Sequence, residues 1–359
     1  MKILFIAPIP PPITGHSLVS KILLNELVKT HIVDIVDLSK DSLSEGVDGF
    51  KRIIQIITIF KKIAFRKKGN DIIYFTISES LAGNLKDLII YFICFRSIDK
   101  IYIHLHGGSI KKQLWNRYNL IKRANHFFIK RIRGVIISGE SHISIFSDMI
   151  TNNKIHIIPN FAQDYLFVDS KIIKLKYESP IIRVLYMSNL IPKKGYNDLA
   201  DAFQLLNDEY KQKIQIDFAG AFDSEQDKTF FLNKISKHKQ IKYHGIVNDE
   251  AKRLLFSKAN VFCLPTSYFE GQPISILEAY ASGCVVVTTP QSGILDIFEP
   301  EVNGFLIEPE SPESIKHALE SLFNLRDKMY IISNNNLSIA FQKYRTSIYC
   351  EAIKKILEH

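Results

Sequence analysis

Short apolar runs alternate with stretches of helical period along almost the whole chain. Six runs in the first half have the length and composition of buried strands: residues 2–7, 32–37, 72–76, 100–105, 134–138 and 155–158. Six more follow in the second half: residues 181–187, 214–219, 241–245, 260–264, 284–288 and 304–307. Strands that alternate with helices in this way predict an α/β protein with parallel sheets.

The stretches between these runs have the amphipathic spacing of helices. Residues 196–207 place Leu199, Ala202, Phe203 and Leu206 at the i, i+3, i+4, i+7 positions of one helix face. We also predict helices over residues 17–28 and 252–258, and helical structure in the tail, residues 337–359.

The order of these elements predicts two similar domains. Residues 163–179 are mixed in polarity and end at Pro180, so we expect the boundary there. We therefore predict two doubly wound, Rossmann-like domains, residues 1–165 and 175–335, with a tail helix at about residues 340–359 that can pack on either one. Such domains bind ligands beyond the carboxyl ends of their strands, and paired domains bind them in the cleft between.

Composition narrows the class of protein. The 359 residues are 46% hydrophobic and 23% charged, which excludes a disordered chain. The longest apolar run, residues 88–95, is far shorter than the roughly 18 residues of a transmembrane span. The apolar N-terminus runs into prolines without a cleavage pattern, so we interpret it as a strand and not as a signal peptide. The four cysteines form no Cys-x-x-Cys pair, and we expect a cytoplasmic protein that can attach peripherally to the inner face of the cell membrane.

The excess of positive charge lies in the first half of the chain. The net charge is +9, and residues 1–170 hold 23 Lys and Arg against 14 Asp and Glu, whereas the remainder holds 23 of each. Residues 50–68 combine bulky apolar side chains with seven basic residues and no acidic one, and residues 117–133 are also basic. A helix like the first can lie in an anionic membrane interface, or it can pack on a sheet while its lysines reach water. We expect an anionic membrane surface as a partner and no nucleic acid, because no nucleic-acid-binding motif is present.

The segment of residues 264–283 carries the most specific pattern. A strand is followed by a loop with Glu270, and Pro273 and Gly283 suit the first turn and the end of a helix. The N-terminus of this helix would carry free N–H groups and a partial positive charge, which favour a phosphate. Glu278 lies further along the same helix. Two carboxylates beside an anion-binding helix end suit a ligand that has both hydroxyls and phosphates, such as a nucleotide sugar.

Glu270 and Glu278 lie within Phe-Glu-Gly-Gln-Pro-Ile-Ser-Ile-Leu-Glu-Ala-Tyr-Ala-Ser-Gly, which resembles the Glu-x7-Glu signature of glycosyltransferase family 4. The resemblance runs through nearly the whole chain. It implies a retaining, metal-independent enzyme with the GT-B fold, in which Glu278 holds the nucleotide ribose and Glu270 contacts the donor hexose. The implied donor site also includes Gly271, Gln272, Pro273, Ile274 and Ser275. The alternative is two surface glutamates that happen to have this spacing.

A second segment, residues 187–195, resembles the Gly-Arg-Leu…Lys-Gly segment of the family. The resemblance implies that Lys194 neutralises the leaving diphosphate and takes part in catalysis. Asn189 stands where the family usually has an arginine, which removes one cation from the donor site. Lys193 could replace it, although an exposed lysine is the simpler interpretation.

Two loops of the first half also resemble family segments. Gly15 lies in a loop that usually carries two adjacent glycines, and His16 stands in the second place. Gly15 would let the backbone approach the phosphates. His106 lies in a segment similar to the His-Gly loop of the family, which implies a catalytic position near the donor sugar. His104 shares its strand face and is interpreted as structural.

These features together predict a retaining hexosyltransferase. The donor is a nucleoside-diphosphate sugar, with a UDP-sugar favoured over a GDP-sugar, and no cofactor is expected. The acceptor is a glycan or a polyprenyl-diphosphate-linked sugar of bacterial capsule, O-antigen or exopolysaccharide biosynthesis. No Asp-x-Asp pair of metal-dependent transferases occurs, and no Gly-x-Gly-x-x-Gly of nicotinamide dehydrogenases. The alternative is a catalytically silent GT-B partner subunit, which Asn189 and the single-glycine loop keep open.

Overall fold

The computed structural model describes residues 1–11, 14–39 and 49–359, and the side chains of residues 49–52 lie outside the description. The described chain forms two compact units. Unit 1 is Met1–Pro159 with Ser347–His359, and unit 2 is Asn160–Thr346. The prediction of two α/β domains with parallel sheets is confirmed.

Unit 1 is built on a six-stranded sheet in which all neighbouring strands are parallel, in the order β2-β1-β3-β4-β5-β6. Its strands are β1 (Lys2–Ala7), β2 (Ile32–Asp37), β3 (Ile72–Thr76), β4 (Ile101–Leu105), β5 (Gly134–Ile137) and β6 (Ile155–Ile157). The central strands β1, β3, β4 and β5 are buried almost from end to end. Continuous apolar runs of this kind form where helices cover both faces of a parallel sheet.

The helices of unit 1 connect these strands. They are α1 (Gly15–Leu27), α2 (Gly49–Arg66), α3 (Leu81–Ile93), α4 (Asn119–Ile129) and α5 (Ile143–Phe146), and α15 (Thr346–Glu358) returns to this unit from the C-terminus. Helix α1 begins two residues before its predicted start because Thr14 and Ser17 form a capping box. Among the described helices, none is long and apolar enough to cross a bilayer.

Unit 2 repeats the plan with a second six-stranded parallel sheet, in the order β12-β11-β10-β7-β8-β9. Its strands are β7 (Ile182–Met187), β8 (Ile214–Ala219), β9 (Ile241–Tyr243), β10 (Val261–Leu264), β11 (Val285–Thr288) and β12 (Gly304–Leu306). Its helices are α6 (Ser170–Glu178), α7 (Tyr196–Leu205), α8 (Asp208–Lys213), α9 (Glu225–Ile235), α10 (Asp249–Lys258), α11 (Ile274–Ala281), α12 (Ser292–Leu295), α13 (Pro312–Asn324) and α14 (Arg326–Lys343). Each unit has its own large hydrophobic core.

The structure places the division at Pro159, several residues before the expected boundary. Residues 160–165, which the sequence analysis assigns to the first domain, lie in unit 2. The reason is local, because Asn160 makes two hydrogen bonds to Gln272 of unit 2. The expected boundary region also contains helix α6, whose N-terminus is capped by Asp169.

The predicted tail is two helices. Helix α14 ends at Lys343, and α15 begins at Thr346. Between them the carbonyl of Tyr344 accepts a hydrogen bond from the backbone N–H of Ala162 at 2.8 Å, and Arg345 forms a bridge with the same residue. The chain leaves helical geometry here because it makes these strand-like bonds.

Candidate functional site

The candidate site of unit 2 lies at the carboxyl edge of its sheet, where the neighbouring strands β7 and β10 end. A 3-10 turn, Pro192–Lys194, follows β7. Gly195 has a φ of +76°, and a Cβ there would lie 2.1 Å from the carbonyl oxygen of Pro265 in the loop after β10. The left-handed backbone and the close approach both require glycine. The carbonyl of Lys193 accepts a hydrogen bond from the N–H of Ser267 at 2.8 Å, so the two loops are bound together.

Lys194 and Glu270 meet in this arrangement. Lys194 Nζ lies 3.2 Å from Glu270 Oε1 and 3.2 Å from Ser188 Oγ. Thr266 Oγ1 donates to the same glutamate oxygen at 3.2 Å. Glu270 is buried and Lys194 is half-buried. The ion pair therefore fixes one ammonium group at the carboxyl edge of the sheet.

Helix α11 begins directly after this loop. Pro273, which is predicted to lie in the first turn, occupies the N-cap position one residue before that turn. No side chain caps the helix, and its first turn holds no acidic residue. The first N–H groups of the helix, which belong to Ile274 and Ser275, therefore carry the partial positive charge of the helix end. Such an end favours a phosphate. Pro273 has no N–H to donate, so it contributes backbone geometry alone.

Gly271 and Gln272 are held by other parts of unit 2. A Cβ on Gly293 would lie 1.2 Å from the carbonyl oxygen of Gly271, so only a glycine backbone can pack on this loop. Gln272 Oε1 accepts a hydrogen bond from the N–H of Asn160 at 2.5 Å, and the Gln272 carbonyl accepts one from Asn160 Nδ2 at 3.0 Å. These contacts make Gln272 a residue that positions the loop.

Glu278 lies one turn into α11 and is buried. Its Oε1 accepts a hydrogen bond from Lys252 Nζ at 2.5 Å, and Lys252 belongs to α10. Burial raises the pKa of Glu278, and the charge of Lys252 opposes that shift. Lys252 also donates to Gln163 Oε1 at 3.4 Å, and the hydroxyl of Tyr165 donates to the same oxygen at 3.1 Å. Glu278 is therefore held by a polar network that reaches helix α10 and residues 163–165.

The carboxyl edge of the sheet in unit 1 carries a stack of histidines. The ring centroids of His104 and His106 are 3.9 Å apart, and those of His106 and His16 are 4.3 Å apart. The hydroxyl of Tyr74, on the neighbouring strand β3, lies 2.6 Å from His104 Nδ1. Three rings from α1, β4 and the loop after β4 are thus brought into contact.

Burial keeps this stack neutral. It lowers the pKa of His16 to about 4, assisted by Lys86, and that of His104 to about 3, assisted by His16. It lowers the pKa of His106 well below its usual range, and the two other histidines add to the shift. The Nε2 atoms of all three rings are buried and unpaired among the described residues. An unpaired nitrogen of a neutral imidazole can donate a hydrogen bond to a hydroxyl group or accept one from it, depending on the tautomer.

Gly15 is the first residue of α1 and is exposed. Two backbone N–H groups at the start of α1 already have partners within the chain. Thr14 Oγ1 accepts from the N–H of Ser17 at 3.1 Å, and Ser17 Oγ accepts from the N–H of Thr14 at 2.9 Å. Pro12 and Ile13, which belong to the predicted glycine loop, lie outside the described residues.

The remaining predicted residue, Asn189, is exposed directly after Ser188, and its carbonyl accepts a hydrogen bond from the hydroxyl of Tyr186 at 3.3 Å. Sequence reasoning missed Lys252 and Tyr74 as parts of the two sites. Lys252 is 26 residues from Glu278 and on another helix, so no local motif connects them. Across residues 1–11, 14–39 and 49–359, no group of three or more His, Cys, Asp or Glu side chains could hold a metal ion.

Comparison with solved structures decides the fold. Anabaena HepE, solved in complex with UDP, superposes on the chain with a TM-score of 0.78 at 18% identity, over 100% of both chains. The chain has the GT-B fold. Residues 170–338 match the family model described as glycosyl transferases group 1, which supports a glycosyltransferase.

Curated relatives, at low sequence identity, also support a glycosyltransferase. An uncharacterized glycosyltransferase of Methanocaldococcus jannaschii is 27% identical over 45% of this chain and 40% of its own length. The O-antigen chain mannosyltransferase B of Escherichia coli is 29% identical over 38% of this chain and 36% of its own length. Others are named for capsular polysaccharide and amylovoran biosynthesis. The matches to the first two relatives thus span about two fifths of their length.

Proposed function

We propose that the protein is a retaining glycosyltransferase of family 4, which transfers a hexose from a nucleoside-diphosphate sugar to an acceptor hydroxyl. The observation that carries the proposal is the Lys194–Glu270 pair beside the uncapped N-terminus of α11, with Glu278 buried in the same helix. This edge offers positive charge for a diphosphate and carboxylates for hydroxyl groups. A UDP-sugar is the favoured donor, and HepE, which shares the fold, was solved with UDP.

In the proposed reaction the bond between the anomeric carbon and the diphosphate oxygen breaks, and a bond to the acceptor oxygen forms on the same face of the sugar. The acceptor proton passes to the departing phosphate oxygen. Negative charge grows on the diphosphate as it leaves, and Lys194 with the N–H groups of Ile274 and Ser275 stabilises that charge electrostatically. With this compensation we propose that no metal and no further cofactor takes part, and EDTA should leave the rate unchanged.

The sugar and ribose contacts follow from the remaining polar groups. Glu278 is proposed to accept hydrogen bonds from the ribose hydroxyls through Oε2, while Lys252 holds Oε1. Glu270 and the backbone of Gly271 are proposed to contact the donor hexose. His106 is proposed to contact the same sugar, and its neutral ring suits a hydroxyl partner. Gly15 is proposed to allow a close approach of the phosphates.

The acceptor is proposed to be a glycan or a polyprenyl-diphosphate-linked sugar of bacterial surface polysaccharide biosynthesis. The names of the Escherichia coli relative and of the capsular and amylovoran relatives support this class. The protein would then work in the cytoplasm, where nucleotide sugars are available, at the inner face of the membrane.

A thermal-shift panel of UDP, GDP, ADP and their sugars tests the proposal. A ligand that binds only the native state stabilises it by about 2.7 kcal/mol at one hundred times its Kd. We expect UDP and one UDP-hexose to raise Tm most. If every nucleotide leaves Tm unchanged at millimolar concentration, the proposal is wrong.

A catalytically silent GT-B partner subunit is the second candidate, and Asn189 in place of the usual arginine favours it. Hydrolysis of the selected nucleotide sugar without acceptor separates the two. A transferase releases nucleoside diphosphate slowly, whereas a silent subunit that binds the sugar releases none above a Lys194→Ala control.

A further inference from the structure

Three helices of unit 1 lie side by side and present apolar residues to solvent. Helix α2 packs against α3, and α3 packs against α4. Their strands follow one another across the sheet in the same direction, β2 to β3 to β4 to β5, so right-handed crossovers place all three helices on one face. We call the solvent side of this layer the α2–α4 face.

Helix α3 carries the most regular part of the face. Leu81, Leu85, Ile89 and Phe92 follow at i, i+4, i+8 and i+11, which is one stripe along a helix. Their exposed fractions are 40%, 46%, 45% and 74%. The buried residues of α3, which include Ile90 and Tyr91, face the opposite way. A solvent stripe of four large apolar residues is not what a helix covered only by water normally presents.

Helix α2 has the same character. Ile59 and Ile63 are buried against the unit, while Ile54, Ile57 and Phe65 are exposed, Phe65 by 87%. The interpretation in which this basic segment packs on the fold is therefore confirmed. One face packs on the fold, and the other remains apolar in solvent.

Helix α4 and the turn after α3 complete the face. Leu120 is 80% exposed, and Phe127 lies near the end of the helix. Phe95, from the turn after α3, stacks with Phe127 at a centroid distance of 6.0 Å. The guanidinium of Arg131 lies 4.0 Å from the Phe127 ring centre. These contacts join the apolar stripes of α3 and α4 at their C-terminal ends.

The same three helices and the turns that follow them also carry exposed basic side chains. They are Lys61, Lys62, Arg66, Lys68, Arg96, Arg123 and Lys130, all of them exposed. The sequences of α2, α3 and α4 contain one acidic residue, Asp87, which is buried against Lys86 at 2.9 Å, and the turn after α3 adds one exposed acidic residue, Asp99. The charge of the face is therefore strongly positive.

We propose that the α2–α4 face is a docking surface for an anionic membrane, into which its leucine, isoleucine and phenylalanine side chains insert while its lysines and arginines bind lipid headgroups. An apolar centre with a cationic rim matches the two layers of an anionic leaflet. A second copy of the chain would bring two cationic rims together across a symmetric interface. A nucleic acid would use the cations and leave the apolar stripe in water. Of these three partners, the membrane is the one that satisfies both features.

This inference depends on the surface alone and does not require glycosyl transfer. It deepens the proposed function in one respect, because a lipid-linked acceptor is held at the same membrane. Membrane binding and nucleotide binding are measured separately, so either proposal can fail while the other stands.

Vesicle co-sedimentation tests the proposal with the full chain. The probes are vesicles of phosphatidylcholine alone and of phosphatidylcholine with about one third phosphatidylglycerol. We expect about tenfold stronger partition onto the anionic vesicles, weakened by added salt. The test variant replaces three highly exposed residues of the face: Phe65→Ser, Phe92→Ser and Leu120→Ser. We expect it to lose about tenfold or more of this partition.

A matched triple variant of unit 2 provides the control. It replaces three exposed apolar residues outside the face: Phe230→Ser, Ile246→Ser and Ile331→Ser, whose exposed fractions are 63%, 81% and 67%. We expect it to bind vesicles as the unchanged chain does. Both variants should keep the cooperative thermal unfolding of the unchanged chain, which reports an intact fold whether or not UDP binds.

Three results would overturn the proposal. The first is equal partition onto neutral and anionic vesicles, and the second is equal partition of the two triple variants. The third is sedimentation of the free protein as a dimer that only the face variant dissociates, with no vesicle binding, since the face would then be an interface between copies.

Discussion

The carboxyl edges of the two sheets differ in their chemistry, although the two sheets are built alike. In unit 2 the polar groups are charged and paired: Lys194 lies 3.2 Å from Glu270, and Lys252 lies 2.5 Å from Glu278. In unit 1 the central groups are neutral rings, with His104 and His106 stacked at 3.9 Å. Both edges follow parallel strands and carry the N-terminus of a helix.

The difference shows that residues after the strands can give two similar sheets different chemistry at their carboxyl edges. A paired carboxylate lets unit 2 keep at a half-buried position the ammonium group that is proposed to contact the diphosphate. Burial without counter-charges does the opposite in unit 1, because it holds the imidazoles uncharged. The proposed function accordingly assigns the ionic part of a nucleotide sugar to unit 2 and the neutral hydroxyl contacts to unit 1.

The largest expected effect is on the rate. Lys194→Ala removes the ammonium group proposed to stabilise the leaving diphosphate, and we expect kcat to fall by roughly two to three orders of magnitude. Release of nucleoside diphosphate at saturating donor measures it. Lys193→Ala is the matched control, because the neighbouring lysine is exposed, and its kcat should change less than about threefold. If the two variants lowered kcat equally, Lys194 would have no specific role in binding the diphosphate.

The next largest effect is on the free energy of unfolding and concerns His16, in the histidine stack of unit 1. His16 has a pKa of about 4 in the folded chain because of its burial and of Lys86, against an ordinary 6.5. The unfolded chain therefore binds the proton first as pH falls, and stability present above about pH 6.5 is lost progressively down to about pH 4. The shift corresponds to about 3 kcal/mol.

Replacement of His16 by alanine should remove this part of the acid destabilisation. Urea unfolding at neutral pH and at about pH 4 should differ by about 3 kcal/mol less in His16→Ala than in the unchanged chain. His104 and His106 continue to titrate in both proteins. The exposed His317→Ala serves as control and should keep the full pH dependence. An unchanged slope for His16→Ala would contradict a neutral, buried His16.

Comparison of the two edges also shows what sequence alone could predict. Strands such as β1, β2 and β8 have the predicted bounds, because an apolar run between polar turns determines them locally. The sequence predicts a helical tail from residue 337, whereas helix α14 already begins at Arg326. Its middle holds the polar run Ser-Asn-Asn-Asn of residues 333–336, yet Asn336 is buried and donates to the carbonyls of Cys284 and Asn303. Such a helix is stabilised by distant carbonyls, which no local pattern reports.

The same distinction applies to the sites. Glu270, Glu278 and Lys194 could be predicted because they lie in short motifs, although their roles stay predictions. Lys252 and Tyr74 could not, because each enters its site by tertiary contact alone. The apolar stripe of α3 was also missed. A stripe of leucine, isoleucine and phenylalanine has the same sequence pattern whether it faces a core or solvent.

A smaller effect is expected on donor affinity. Glu278→Gln keeps the shape of the side chain and removes its charge, so the Kd of UDP should rise about thirtyfold through weaker ribose hydrogen bonds. Isothermal titration calorimetry measures it. Glu225→Gln is the control, since it changes an exposed glutamate paired with Lys228 on α9, and its Kd should stay within about twofold. Unchanged affinity for Glu278→Gln would argue against the ribose role.

The smallest expected effect is on the Kd of UDP, when one positive charge is added to the carboxyl edge of the sheet in unit 2. Asn189 is exposed one residue after Ser188, whose hydroxyl lies 3.2 Å from Lys194 Nζ. Asn189→Arg would supply the cation that the family usually has, and we expect the Kd of UDP to fall about fivefold, with stronger salt dependence. Asn197→Arg, on the following helix, adds the same charge elsewhere and should have little effect. A gain confined to position 189 would support a diphosphate contact at this edge. No gain would mean that Lys194 and the start of α11 already neutralise the diphosphate.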